Sequence, residues 1–149
     1  MTADVLRDFA SRIGAARVAD QRQIFDEMQP IFCETAPQPS CWLGFKALGA
    51  YNDAAIALYR DMLPDFGFQF GTHAPYEDGI KGLATTWRAS DSHAAVFEAA
   101  TPALALLRAT AATVASRLDA QQMQSCSLCG GLGWFITAAN RKQICRHQG

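Results

Sequence analysis

The hydrophobic period changes near the middle of this chain, and that change restricts the fold class more than any other feature. Before Pro64 the apolar residues recur at helical spacing, whereas Phe66, Phe68 and Phe70 alternate with Gly67, Gln69 and Gly71. A period of two fits a half-buried strand, because successive strand side chains point to opposite faces. Leu83, Thr85 and Trp87 alternate in the same way, and a third strand over 93–98 follows a turn at Asp91-Ser92. Thr101 then caps a long helix, with Pro102 at the first helical position, where its missing N–H costs nothing. Leu104, Leu107, Ala111, Val114 and Leu118 form its apolar stripe. Three strands joined by turns and flanked by helices predict an α+β fold with a small three-stranded antiparallel sheet. No segment of 20–50 residues repeats, which excludes a solenoid.

The first half reads as helices. Val5, Leu6, Phe9 and Ile13 place one over 3–13, with Gly14 as its C-cap. Asp20 is a suitable N-cap for a second helix carrying Ile24, Phe25 and Met28 inward, and Pro30 is expected to interrupt it. Residues 34–40, with Pro37 and Pro39, read as a loop. A third helix over 52–63 is capped by Asn52 or Asp53 and stopped by Pro64. Its apolar face holds Ala55, Ile56, Tyr59, Met62 and Leu63. Residues 73–82, with Pro75, Asp78, Gly79 and Gly82, read as a turn-rich connection.

The specific chemistry lies in the tail. Of five cysteines (Cys33, Cys41, Cys126, Cys129 and Cys145), three fall in the last 24 of 149 residues. Cys126 and Cys129, three apart, can aim two thiolates at one ion from a tight knuckle. Gly130 next to Cys129 lets backbone amides approach the sulfurs. Trp134 to Thr137 reads as a short strand, followed by a turn and a return through Gln143 and Ile144 to Cys145. A second Cys-x-x-Cys would need sulfur at position 148, where the chain has Gln148, so His147 is the nearest nitrogen donor. The expected metal ligands are therefore Cys126, Cys129, Cys145 and His147, with His73, His93, Cys33 and Cys41 as rivals for the fourth place. Thiolate and imidazole together favour zinc, and four protein ligands would make the site structural. A redox role for Cys126 and Cys129 is the competing reading, although such pairs normally open a helix after a strand.

Charge separates the two parts. Residues 1–119 hold ten Lys/Arg and fourteen Asp/Glu, a balance of −4; residues 120–149 hold Arg141, Lys142 and Arg146 and no acid. An acidic body is a poor nucleic-acid binder, since cations on phosphates supply most non-specific affinity. The domain reading is an α+β body over 1–119 and a zinc-knuckle tail over 120–149. The acidic, amphipathic start does not read as a secretory signal, and no apolar run approaches the roughly 20 residues of a membrane span. With an odd number of cysteines, this predicts a reducing, cytoplasmic setting.

Two resemblances follow from these residues. Tyr51-Asn52-Asp53-Ala54-Ala55-Ile56-Ala57-Leu58, Leu63-Pro64, Phe66-Gly67-Phe68, Ala84-Thr85-Thr86-Trp87 and Ala100-Thr101-Pro102-Ala103-Leu104-Ala105-Leu106-Leu107 together resemble the phage ABA-sandwich domain family. The resemblance covers roughly residues 1–119. It implies a small α-β-α sandwich in a phage or prophage setting, hence a bacterial host cytoplasm, and carries over no catalytic residues. The family's usual Trp-containing strand is replaced by Phe66-Gly67-Phe68. The tail, Cys126-Ser127-Leu128-Cys129-Gly130-Gly131-Leu132-Gly133, is similar to half of a DnaJ-type zinc ribbon.

No catalytic constellation is legible. Asp91-Ser92-His93 has the residue types of a hydrolase triad, but they are adjacent, whereas a triad converges from separated positions. His73, Tyr76, Glu77 and Asp78 could line a pocket, though a polar loop at a strand end explains them as well. No phosphate-loop or dinucleotide glycine pattern occurs. The expectation is a non-enzymatic phage accessory protein that binds a host protein or a small molecule, a setting in which counter-defence is a natural role, with zinc as a structural cofactor. One alternative is a nucleic-acid regulator, with Arg141, Lys142 and Arg146 on phosphates and Trp134 or Phe135 stacked on a base. Another is a metal-dependent hydrolase, which requires that His147 leave a zinc position open.

Overall fold

A computed structural model describes residues 1–32, 41–74, 79–88, 94–126, 129, 132, 134–137 and 141–145, without the side chains of Cys41, Ser125, Phe135, Ile136 and Lys142. Helix α1 (Ala3–Ala15) is followed by a 3-10 turn (Val18–Asp20), α2 (Gln21–Phe32), α3 (Cys41–Ala47) and α4 (Tyr51–Met62). Strands β1 (Phe66–His73), β2 (Lys81–Arg88) and β3 (Ala95–Ala99) come next, then α5 (Pro102–Ser125) and the short strands β4 (Trp134–Ile136) and β5 (Lys142–Ile144). The fold is α+β with a three-stranded antiparallel sheet in the order β1-β2-β3.

Helix α5 is the centre of the core. Ala103, Leu104, Ala105, Leu106 and Leu107 are all buried, as are Ala109, Thr110 and Ala111, so its first half is enclosed all round. The Thr110 hydroxyl meets its hydrogen-bonding need locally by donating to the Leu106 carbonyl at 2.8 Å. The sheet packs on α5, and α1 and α4 pack on it in turn. At its start the Thr101 hydroxyl accepts from the Leu104 amide at 3.2 Å and Pro102 occupies the first turn, as expected.

Register explains which sheet residues face α5. Phe68 is paired with Thr86 and Phe70 with Ala84, while Ala84 faces Phe97 on the other side. The buried positions of β2 are Gly82, Ala84 and Thr86; Leu83 and Thr85 are half-buried and Trp87 is exposed. The small residues thus turn inward, because α5 lies so close that a Cβ on Gly82 would stand 2.0 Å from the Thr101 carbonyl group. On the outer face the Trp87 ring covers Gly67, its cross-strand partner, and occupies the space a Cβ there would need.

Several local expectations are corrected. Gly14 is not a cap: α1 continues to Ala15 and Ala16 is the C-cap. The missing Cβ at Gly14 instead leaves room for the Arg108 guanidinium, 2.8 Å from where it would stand. Asp20 closes the 3-10 turn, its carboxylate accepting from the Arg17 amide at 2.8 Å, and α2 begins one residue later. Pro30 does not interrupt α2, which runs on to Phe32. The ring of Phe32 is buried edge-on against Phe9, so packing of the last turn offsets the lost hydrogen bond.

Helix α3 has no counterpart in the sequence reading. Helix α4 starts at Tyr51, after a turn in which Gly49 takes φ 73°, so Asn52 and Asp53 lie inside its first turn rather than capping it. Its buried residues are Ala54, Ala55, Ala57, Leu58 and Tyr59, with Ile56 and Met62 only half-buried. Strand β3 begins at Ala95; the segments 34–40 and 89–93, with Asp91, Ser92 and His93, lie outside the described residues. So do Tyr76, Glu77 and Asp78. Helix α5 runs through position 119 and ends at Ser125.

Candidate metal centre

Three elements deliver the tail cysteines to one place. Cys126 is the C-cap of α5, its amide donating to the Met123 carbonyl at 3.3 Å. Cys129 lies in a turn whose next described bond runs from the Leu132 amide to the Cys129 carbonyl at 3.0 Å. Strands β4 and β5 then form a hairpin in which Trp134 faces Ile144 and Phe135 faces Gln143. Reciprocal bonds between Thr137 and Arg141 close its far end. The hairpin returns the chain to its starting point and so sets Cys145 beside Cys126, as the strand–turn–return pattern predicts.

The Sγ atoms of Cys126 and Cys145 are 3.5 Å apart, and the three sulfurs all lie within 4.8 Å of one another. Three thiolates on one tetrahedral zinc, each at about 2.3 Å, would be spaced by about 3.8 Å. The cluster is therefore close enough to hold a metal ion. The three are thiols, not disulfides. Cys129 and Cys145 are buried and Cys126 is partly exposed.

Electrostatics give this arrangement a direction. Burial pushes the Cys145 thiol up to about 12, and the neighbouring sulfurs of Cys126 and Cys129 add to the rise. The Cys145 thiolate is thus disfavoured unless a cation neutralises it. A bound divalent ion reverses that preference, since it deprotonates a coordinating thiol outright.

Among the described residues, no other His, Cys or carboxylate joins the cluster. His73 ends β1 and is exposed, and it is not one of the grouped ligands. His147, Cys33 and His93 lie outside the described residues, as does the side chain of Cys41. Of the three tail cations, Arg141 is exposed at the hairpin, Lys142 begins β5, and Arg146 lies outside the described residues.

A second arrangement has no local signal in the sequence. The guanidinium carbons of Arg88 and Arg117, from β2 and α5, stand 5.7 and 5.9 Å from the centre of the Phe66 ring. Only the pairing of Phe66 with Arg88 and the passage of α5 beside β1 bring them together. No helix among the described residues is long and apolar enough to cross a membrane. No protein-family model matches the chain, and no curated protein or solved structure matches it.

Proposed function

We propose that this chain is a non-enzymatic accessory binding protein of phage or prophage origin, acting in a bacterial cytoplasm, whose C-terminal hairpin is closed by one structural zinc ion. The observation that carries the metal part is the convergence of the Cys126, Cys129 and Cys145 sulfurs within 4.8 Å. Zinc is the favoured ion because an all-thiolate face selects soft or borderline metals over magnesium and calcium. His147, two residues beyond Cys145, completes the set. Four protein ligands leave no position for a reactive water, so the ion's chemistry is structural.

The α+β body is the binding part of this reading. Its support is the resemblance of residues 1–119 to phage ABA-sandwich domains, which carry no catalytic residues over to this sequence. The test is capture of partners from a bacterial host lysate, with released proteins and small molecules identified by mass spectrometry. A reproducible, saturable partner supports the proposal. Turnover of a substrate by the metal-free protein contradicts it.

A further inference from the structure

Where β2 ends, the sheet and α5 diverge and leave a cavity of about 330 Å³. Its floor and walls are Phe66, Phe97, Ala95 and Ala112, with the hydroxyls of Thr113 and Ser116 on the α5 side. Arg88 and Trp87 stand at its sheet side. The register accounts for this set. Phe66 is paired with Arg88, and Thr86 with both Phe68 and Ala95, so the even-numbered residues of β2 share the α5 side of the sheet with the phenylalanines. Thr86 is buried at the back, where its hydroxyl bonds to the phenol of Tyr59.

Among the described residues that line this cavity, Arg88 carries the only charge. None of its lining residues among those described is acidic. The Arg88 guanidinium rests on the Phe66 ring and has no carboxylate partner among the described residues. Arg117 flanks the same ring and donates to the Met62 carbonyl at 3.3 Å, so part of its hydrogen-bonding capacity is already engaged. One guanidinium over an apolar floor matches a planar monoanion better than a dianionic phosphate, because its single charge neutralises a carboxylate, to which it donates two parallel N–H bonds, and leaves half of a dianion's charge uncompensated. The volume lies at the small end of ligand pockets, which fits a body of about ten non-hydrogen atoms.

We infer that this cavity binds a small monocarboxylate with an aromatic or branched apolar body, its carboxylate on Arg88 and its body against Phe66, Phe97 and Ala112. Thr113 offers a hydroxyl donor to the same carboxylate, whereas the Ser116 hydroxyl already donates to the Ala112 carbonyl at 3.0 Å. The inference rests on the binding reading given above and supplies its ligand class; it does not depend on the metal centre.

The test uses the full-length protein and 4-fluorophenylacetate, titrated and followed by fluorine NMR. The expected results are saturable binding and affinity about tenfold weaker for 4-fluorophenylacetamide, which keeps the shape and lacks the charge. Arg88→Gln, at an exposed position, should cost about the same factor. Ala112→Leu should abolish binding by filling the cavity. Thermal melting and zinc content measured on the same samples separate the two readings, since neither substitution touches the cysteines. Equal affinity for acid and amide, or undiminished binding by Ala112→Leu in a folded protein, would overturn the inference. Absence of binding at millimolar acid would overturn it as well. Absence of zinc alongside intact acid binding would instead count against the metal centre alone.

Discussion

The phenol of Tyr59, on α4, donates a hydrogen bond to the Gly67 carbonyl of β1 at 3.0 Å and fixes the helix to the first strand. The same ring lies 4.6 Å from Phe68, and its oxygen also accepts from Thr86, so three sheet positions read one buried side chain. Burial pushes the Tyr59 phenol up to about 12, with the Thr86 bond opposing part of the rise. The neutral form is therefore favoured in the folded state.

That preference predicts a loss of stability in alkali. Below the ordinary tyrosine value near 10 the contribution is complete. As pH rises from about 10 towards 12, the unfolded chain ionises Tyr59 while the folded chain does not, and up to about 2–3 kcal/mol is lost. Tyr59→Phe should remove that portion of the slope. At pH 7 it should also cost about 1–2 kcal/mol, because the partners in β1 and β2 lose a buried bond. Urea titrations at pH 7 and pH 11 on both proteins measure the two effects; equal alkaline slopes would contradict the assignment.

Gly82→Ala should be among the most damaging single-methyl changes in the body. The new carbon would meet the Thr101 carbonyl group and the Pro102 nitrogen at 2.0–2.3 Å, and these are backbone atoms at the start of the central helix. Separating β2 from α5 should cost roughly 3 kcal/mol, at the upper end of overpacking penalties. Gly71→Ala, with open space around the same carbon, is the control and should lie within about 1 kcal/mol of the parent.

Acid should weaken the contact between α1 and α2. The Arg12 guanidinium, which bonds Glu27, is the main reason this carboxyl is held below its usual range, and Gln23 adds to it at 3.0 Å. A lowered carboxyl contributes stability above its unfolded value and loses it as pH falls through the folded one. Both side chains are partly exposed, so the pair is worth only about 0.5 kcal/mol. Glu27→Gln should cost that much at pH 7 and nothing near pH 2, and the difference should shrink in high salt.

The fold class was legible because its signals are local and repeated. Phe66, Phe68 and Phe70 announce a strand through spacing alone, and Thr101-Pro102 announces a helix start through backbone chemistry. The misread positions depend on partners distant in sequence. Gly14 resembles a cap until Arg108 is known to cross it, and Pro30 resembles a stop until Phe32 is seen buried against Phe9. The inward turn of Gly82, Ala84 and Thr86 follows from the closeness of α5, to which hydrophobicity along β2 is blind. Cys126, Cys129 and Cys145 were readable because a short hairpin needs little information to close. The two arginines around Phe66 were not, since only tertiary packing unites them.

The most direct test of the metal centre is elemental analysis of the full chain purified without chelator. One zinc per chain is expected in the parent, with loss of the metal in Cys126→Ser, Cys129→Ser and Cys145→Ser, because a hydroxyl replaces a thiolate ligand poorly. His147→Ala should weaken retention under mild chelation less than any of these, since water can take a single vacated position. A parent protein that carries no zinc, or serine variants that keep their full complement, would contradict a site built on Cys126, Cys129 and Cys145.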